Sequence, residues 1–190
     1  IMKNKDKYLY PEISWGLKKP LRPSLYSGYT VQSIYIPVRD GTRLAADIFL
    51  PENLPPATRL PTLLYRTRYW RDAELFPPEV QNDPIIQHVT NHGFAVVRVD
   101  VRGAGAAFGH VLHEWQPQDS LDASDLVEWM IAQPWCNGKV GAFGGSYAGT
   151  TAVLLAETGH PSVTSIWGTC FELDGYSDIV MPGGVPSKFI

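Results

Sequence analysis

The feature that most constrains this fold is an apolar run, a glycine-rich turn and a helix-forming segment that follow one another between residues 140 and 157. The short apolar run Val140–Phe143 predicts a buried strand. The segment after the turn is rich in Ala and Leu and stops at residues 159–161, Gly-His-Pro, which predicts a helix that ends there. Together these signals predict a sharp bend between a buried strand and a helix.

Ser146 stands at the apex of this turn. In a nucleophile elbow, a strand–turn–helix unit presents a serine at the top of a sheet. Side chains two positions before and after that serine would collide, and those positions hold Gly144 and Ala148, with Gly149 directly behind. Ala148 departs from the strict G-x-S-x-G pattern, so the motif alone is only moderately specific. The surrounding strand and helix make Ser146 a candidate nucleophile.

Other interpretations of glycine-rich turns fit less well. A P-loop requires Lys directly after its last glycine, whereas residues 150–151 are Thr-Thr. A dinucleotide fingerprint requires a glycine where Ser146 stands. The glycine loop 102–109 is not such a fingerprint either, because the polar stretch 110–118, with a proline, separates it from any predicted helix. A packing turn with an idle serine stays open.

Composition and charge restrict the class of protein. The 190 residues suit one domain, and 44% hydrophobic with 18% charged residues is typical of a globular chain. A net charge of −3 without a basic cluster predicts no nucleic-acid partner, and no apolar run approaches the roughly 20 residues that cross a bilayer. Cys136 and Cys170 form neither a disulfide framework nor a metal spacing, so we expect two buried thiols in a cytoplasmic protein. We expect no metal and no cofactor, and the oligomeric state is not fixed by the sequence.

Strand and helix signals alternate after an opening hairpin. Residues 1–28 carry scattered prolines and predict an irregular arm. The predicted strands are Tyr29–Val38, Arg43–Leu50, Leu60–Tyr65, Phe94–Asp100, Val140–Phe143 and Val163–Gly168; the predicted helices run from Asp83-Pro84 to Gly93, over Ser120–Gln133 and after Ser146. This order predicts an α/β fold, with a mixed sheet flanked by helices.

Five segments carry a resemblance to a known family. They are VRDGTRLAADIFLP (38–51), LYRTRY (64–69), GFAVVRVDVRG (93–103), AQPWCNGKVG (132–141) and GGSYAG (144–149). In order and spacing they resemble the X-Pro dipeptidyl-peptidase (S15) and cocaine-esterase branch of the α/β-hydrolases, which includes α-amino-acid ester hydrolases and glutaryl acylases. The last segment fits that branch's own G-x-S-Y-x-G form. The resemblance runs from Val31 to about Val185 and implies a mixed, mostly parallel sheet, with residues 29–170 as the N-terminal part of a hydrolase domain.

The resemblance also implies roles for three residues. Ser146 would attack an ester or amide carbonyl, in a small molecule or a short peptide, and become acylated. The backbone N–H of Tyr147 and the hydroxyl of Tyr69 would stabilise the negative charge on the carbonyl oxygen. Tyr69 and Ser146 each follow a predicted strand, so both should face the carboxyl edge of the sheet. On its own residues alone, Tyr69 would be an ordinary rim or packing tyrosine.

The usual partners of such a serine are missing from the chain. In α/β-hydrolases the order is nucleophile, acid, base, and His160 is the single histidine after Ser146. It lies beyond the helix that starts at the elbow, roughly 16 Å away at 1.5 Å per residue, so it cannot be the base. Residues 171–190, with Asp174 and Asp178, resemble the start of a cap insertion, cut short. We therefore expect an N-terminal fragment that lacks the triad Asp and His, stops before the cap and the last strands, and has no turnover alone.

An upstream base is the alternative within this chain. His110 and His113 follow the fourth predicted strand, and a neighbouring carboxylate would give the His, Asp, Ser order of other folds. The carboxylates in reach along the chain are Asp119, Asp122 and Asp125. Solvated loop histidines are the favoured interpretation, and the helix periodicity places Asp122, Asp125 and Glu128 on a solvent face.

A pair of histidines on the first predicted helix is a further candidate site. His88 and His92 are four residues apart on a predicted helix, as in metal-binding pairs, but no third ligand is spaced nearby.

The competing function is a catalytically inactive α/β remnant or an interaction domain. A truncated sheet would leave an open edge strand, so we expect the isolated chain to be poorly soluble.

Overall fold

A computed structural model describes residues 23–71 and 83–188. Its strands are β1 (Tyr29–Pro37), β2 (Arg43–Pro51), β3 (Leu60–Thr67), β4 (Ala95–Asp100), β5 (Cys136–Gly145) and β6 (Val163–Thr169). Its helices are α1 (Pro84–Asn91), α2 (Pro117–Ile131) and α3 (Tyr147–Glu157), followed by short helical turns at Tyr176–Val180 and Pro182–Gly184. Every strand and helix predicted above is present, with ends shifted by a few residues.

The strands form one sheet in the order β1-β2-β4-β3-β5-β6. The β1–β2 and β2–β4 pairs are antiparallel, and the β3–β4, β3–β5 and β5–β6 pairs are parallel. The carboxyl ends of β3, β4, β5 and β6 therefore meet at one edge of the sheet. The predicted mixed, mostly parallel sheet is confirmed.

Local signals explain how the first elements start. In the β1–β2 turn, the carboxylate of Asp40 accepts the N–H of Thr42 at 2.9 Å, and Gly41 takes a φ of 81°. At the start of α1, the carboxylate of Asp83 accepts the amides of Ile85 and Ile86, with Pro84 in the first turn. The predicted hairpin between the first two strands and the predicted helix start at Asp83-Pro84 are thus present.

The core lies on both faces of the sheet. The larger cluster packs α2 and α3 against β1, β2, β3, β4 and β5, and its fully buried members include Val97, Val99, Leu126, Met130 and Leu155. A smaller cluster packs α1 against the other face through Ile86, Phe49 and Val96. The sheet is therefore covered by helices on both faces.

Two burial predictions are wrong. Cys170 is exposed, whereas Cys136 is buried as expected and its sulfur accepts the hydroxyl of Thr62 at 3.3 Å. Asp122 is buried instead of solvent-facing, because the guanidinium of Arg102 reaches it from the loop after β4.

α2 begins at Pro117, three residues before the predicted Ser120, since a proline fits the first turn of a helix.

The predicted division of the chain into an arm (residues 1–28), a hydrolase part (29–170) and the start of a cap (171–190) stays a prediction. Most of the predicted arm, residues 1–22, lies outside the described residues. At the end of that arm, the amides of Leu25 and Tyr26 donate to the carbonyl of Asn91, at 2.7 and 3.0 Å, which ties it to the end of α1.

Within residues 23–71 and 83–188, no helix is both long and apolar enough to cross a membrane.

Candidate active site

Ser146 joins β5 to α3 in a backbone conformation that few residues adopt. Its φ is 55° and its ψ is −127°, and the residue is exposed at the carboxyl edge of the sheet. A non-glycine residue in such a region costs about 1–3 kcal/mol and persists only where the surroundings fix it. Here the amide of Ser146 donates to the carbonyl of Thr169 at 2.9 Å, and its carbonyl accepts the amide of Thr150 at 3.0 Å. The fold therefore holds this serine outward on a strained bend.

Small residues around the bend are a steric requirement. A Cβ built on Gly144 would lie 2.4–2.6 Å from the carbonyl carbon, Cβ and carbonyl oxygen of Ala148. A Cβ on Gly149 would lie 2.9 Å from the carbonyl oxygen of Thr169. The predicted need for small side chains two positions on either side of Ser146 agrees with this geometry.

Tyr69 lies beside the elbow. It follows β3, the parallel neighbour of β5, and its amide donates to the hydroxyl of Thr67 at 3.0 Å. Its ring centroid is 6.1 Å from that of Tyr147 in an edge-to-face arrangement, and its side chain is 49% exposed. The structure thus brings the residue after β3 and the turn after β5 to the same edge.

Tyr147 contributes a backbone amide and a buried ring. Its N–H is the first of α3, and the first N–H groups of a helix have no partner inside that helix. The ring stacks on Trp115 at 5.7 Å, and the guanidinium of Arg68 lies 5.5 Å from it. Burial, and then the nearby carboxylate of Asp119, raises the pKa of Tyr147 to about 12, so its hydroxyl is neutral at ordinary pH.

A cavity of about 470 Å³ opens next to Tyr147, under the loop that follows β4. Its wall includes Arg68, Trp70, Arg102, Glu114, Asp119 and Tyr147, but neither Ser146 nor Tyr69. Arg68 and Glu114 form an ion pair at this cavity. The side chain of Asp119 is 3% exposed, and its Oδ2 has no hydrogen-bond partner among the residues described. Burial raises the pKa of the Asp119 carboxyl.

The glycine loop 102–109 makes structural contacts through Arg102. Arg102 binds the carboxylate of Asp122 at 2.7 and 2.9 Å and that of Asp40 at 2.8 Å. Ala107 packs against the larger core cluster. The loop therefore links the first hairpin to α2.

None of the histidines is hydrogen-bonded to Ser146. His160 binds the carboxylate of Glu128 at 2.8 Å at the end of α3, and His113 contacts the carbonyl of Glu114. His110 is exposed, and no hydrogen bond joins any of the chain's five histidines, all of them described, to Ser146. Of the carboxylates considered with them, Asp122 is bound by Arg102 and Asp125 by Arg39, whereas Oδ2 of Asp119 has no hydrogen-bond partner among the described residues. The upstream arrangement is therefore not assembled.

The remaining candidate groups serve local structure. His88 and His92 stack on one another with ring centroids 4.2 Å apart. In residues 23–71 and 83–188, no three His, Cys, Asp or Glu side chains converge as a metal site would require. Asp178 accepts the amides of Leu173 and Asp174, which closes a turn after β6.

Sequence reasoning missed the charged residues at this edge. Arg68 follows β3 directly, and Asp100 is the last residue of β4, where it binds the segment that carries Tyr69. The available signal was a charged residue at the carboxyl end of an otherwise apolar parallel strand, the place where such folds bind ligands.

Comparison with known proteins identifies the family of this chain. A family model, X-Pro dipeptidyl-peptidase (S15 family), matches residues 40–188. A Mycobacterium bovis protein named as a serine esterase is 42% identical over 173 residues, which cover 84% of this chain and 27% of that protein. The cocaine esterase of Rhodococcus sp. is 36% identical over 163 residues, again 84% and 27%.

Solved structures agree on the fold. A CocE/NonD family hydrolase from Staphylococcus aureus superposes with a TM-score of 0.71 at 23% identity, over 84% of this chain and 31% of that one. An α-amino acid ester hydrolase superposes with a TM-score of 0.62 at 26% identity, over 91% and 30%. The chain thus spans less than a third of the length of these relatives. On these matches, the chain belongs to the X-Pro dipeptidyl-peptidase (S15) family of α/β-hydrolases, which includes serine esterases.

Proposed function

We propose that Ser146 is the nucleophile of a serine hydrolase that cleaves an ester or amide through an acyl-enzyme. One observation carries the proposal: Ser146 is held exposed on a strained bend at the edge where Tyr69 also lies. A strained non-glycine backbone is rarely retained without a functional reason. Family membership supports the same reaction class.

In this reaction the oxygen of Ser146 bonds to the carbonyl carbon of the substrate while its proton passes to a base. The carbonyl oxygen becomes negative, and the N–H of Tyr147 and the hydroxyl of Tyr69 are its proposed donors. Each donor gives a hydrogen bond to this oxygen and keeps its own proton. Collapse expels the alcohol or amine, and water then releases the acid and frees Ser146.

The base and the acid are proposed to come from outside these 190 residues. None of the five histidines is hydrogen-bonded to Ser146, and the relatives are more than three times as long as the matched region. A serine without a base is a poor nucleophile. The isolated chain is therefore expected to hold the nucleophile and the oxyanion donors but not to turn over substrate.

The proposed substrates are small-molecule esters or amides, or short peptides. One relative is named a cocaine esterase, and the family is named for X-Pro dipeptidyl-peptidase. Both names describe cleavage at an ester or amide carbonyl. The shared step, rather than one leaving group, is what Ser146, Tyr147 and Tyr69 would catalyse.

A fluorophosphonate probe tests this function, because it phosphonylates activated serines. The protein expressed from its complete coding sequence should be labelled at Ser146, Ser146→Ala should not be labelled, and Tyr69→Phe should be labelled roughly 10²-fold more slowly. The 190-residue chain should not be labelled. An unlabelled complete protein would support the competing view, a catalytically inactive remnant or interaction domain, and rapid labelling of the 190-residue chain at Ser146 would contradict the external base.

A further inference from the structure

The turn that carries Tyr69 is held at two points. In this turn, residues 67–71 (the Tyr69 turn), the amide of Tyr69 donates to the hydroxyl of Thr67 at 3.0 Å. Two residues on, the amide of Arg71 donates to Oδ1 of Asp100 at 2.6 Å. Between them Trp70 takes a φ of 67°, which is uncommon for a large side chain. The direction of the Tyr69 side chain therefore depends on both anchors.

Asp100 is the stronger of the two anchors. It is 1% exposed at the carboxyl end of β4, and its Oδ2 accepts Nη1 of Arg71 at 2.9 Å and the amide of Ala106 at 3.0 Å. Nε of Arg71 lies 3.0 Å from Oδ1 of Asp47, an ion-pair contact without hydrogen-bond geometry. Bonds to a carboxylate are about twice as strong as neutral ones. One buried carboxylate thus joins the Tyr69 turn to the glycine loop.

Gly105 lies close to the same carboxylate. Its φ is 54°, and a Cβ built on it would lie 2.4 Å from Oδ2 of Asp100. The neighbouring Arg102 is bound to the buried Asp122, which restrains the loop. Asp100 therefore fits between a turn and a loop with no room for a side chain at position 105.

We propose that Asp100 is a positioning residue, which fixes the hydroxyl of Tyr69 for oxyanion stabilisation by holding the amide of Arg71. This inference rests on the proposed function of Tyr69. Asp100 does not touch the reacting atoms; it acts through the turn. Because a misplacement of about 1 Å can cost about 10²-fold in rate, loss of this hold reduces kcat without weakening ground-state binding.

Asp100→Asn is the discriminating variant, because an amide NH₂ replaces one of two oxygens that accept N–H groups. With a p-nitrophenyl ester and the protein expressed from its complete coding sequence, kcat should fall about 10- to 100-fold with little change in KM. Tyr69→Phe should lower kcat by roughly 10²–10³-fold. In the Tyr69→Phe background, Asp100→Asn should have almost no further effect, since both changes remove one interaction.

Gly105→Ala gives the same test without changing a charged group. Its methyl group would displace the Asp100 carboxylate, so it should also lower kcat and also lose its effect in Tyr69→Phe. Gly159→Ala is the matched control, because Gly159 has a similar φ of 63° and nothing within 4 Å of its Cβ position. Hydrogen exchange at the amides of Arg71 and Ala106 should be faster in Asp100→Asn and unchanged in Gly159→Ala.

The outcomes separate this inference from the function on which it rests. If Tyr69→Phe is slow but the loss from Asp100→Asn persists in full in that background, the positioning role is overturned and the function stands. The same holds if Asp100→Asn keeps the wild-type kcat. If Tyr69→Phe keeps the wild-type kcat, the donor role of Tyr69 falls, and the positioning role with it.

Discussion

At the scale of single residues, the strain at Ser146 should be measurable as stability. Glycine adopts a positive φ freely, whereas serine and alanine do not. Because Ser146 has a φ of 55°, we expect Ser146→Gly to have a free energy of unfolding about 1 kcal/mol higher than Ser146→Ala, after allowing for the flexibility of glycine in the unfolded chain. Urea unfolding of the two variants measures this difference. Equal stabilities would mean that the bend stores no strain.

The close approach of Gly144 to Ala148 gives a second residue-scale prediction. A methyl group at Gly144 would meet the backbone of Ala148 at 2.4 Å, so Gly144→Ala should lower the free energy of unfolding by about 1–3 kcal/mol. Gly145→Ala is the control, because its nearest neighbour is the Thr169 hydroxyl at 3.3 Å. Urea unfolding that shifts equally for both variants would contradict the steric explanation.

What the sequence predicts about single residues depends on how local the contact is. The small residues around Ser146 follow from the geometry of one turn, so their spacing alone indicates them. The burial of Asp122 does not, because its partner Arg102 lies on a separate loop that the fold brings over α2. Asp100 was missed for the same reason: its contacts with Arg71 and Ala106 exist only once β3 and β4 are adjacent.

At the scale of elements, the link between the first hairpin and the β4 loop should be sensitive to acid. Hydrogen bonds from Arg102, and then from the backbone of Thr42, lower the pKa of Asp40 from 3.8 to about 2. Since the folded-state pKa lies below the unfolded-state value, the stabilisation is present above pH 3.8 and is lost as the pH falls towards 2. Asp40→Asn lacks this titration.

The acid sensitivity is measured by comparing wild type and Asp40→Asn in urea unfolding between pH 2 and pH 5. We expect the wild type to lose more stability than the variant as the pH falls through this range, so the gap between the two curves narrows. Parallel curves would show that the bond between Asp40 and Arg102 does not contribute to folding.

The start of β5 shows that strand pairing can override a local turn signal. Asn137-Gly138, a dipeptide typical of turns, lies inside β5, which begins at Cys136 because Cys136 pairs with Leu60 of β3. The register then shifts between Leu60 and Thr62, and Gly138 takes a φ of 84°. The turn signal marks an irregularity inside a strand rather than its start.

At the scale of the whole molecule, alternation predicts the sheet but not the order of its strands. β4 lies between β2 and β3, and β3 lies next to β5, so chain neighbours are not always sheet neighbours. That order places the residues after β3 next to the turn after β5. The pairing of Tyr69 with the elbow therefore came from family resemblance, because the hydrophobic pattern of each strand carries no information about its neighbour.

The open edge at β6 leads to the last prediction. Among the described residues β6 pairs only with β5, and Trp167 on this strand is 60% exposed. An exposed apolar edge strand is a template for association with other chains. We expect the isolated 190-residue chain to self-associate, with Trp167→Lys reducing it and Trp70→Lys, a change at a 65% exposed tryptophan outside any strand, having less effect. Sedimentation velocity over a range of concentrations measures this, and a single monomer species throughout would contradict the open edge.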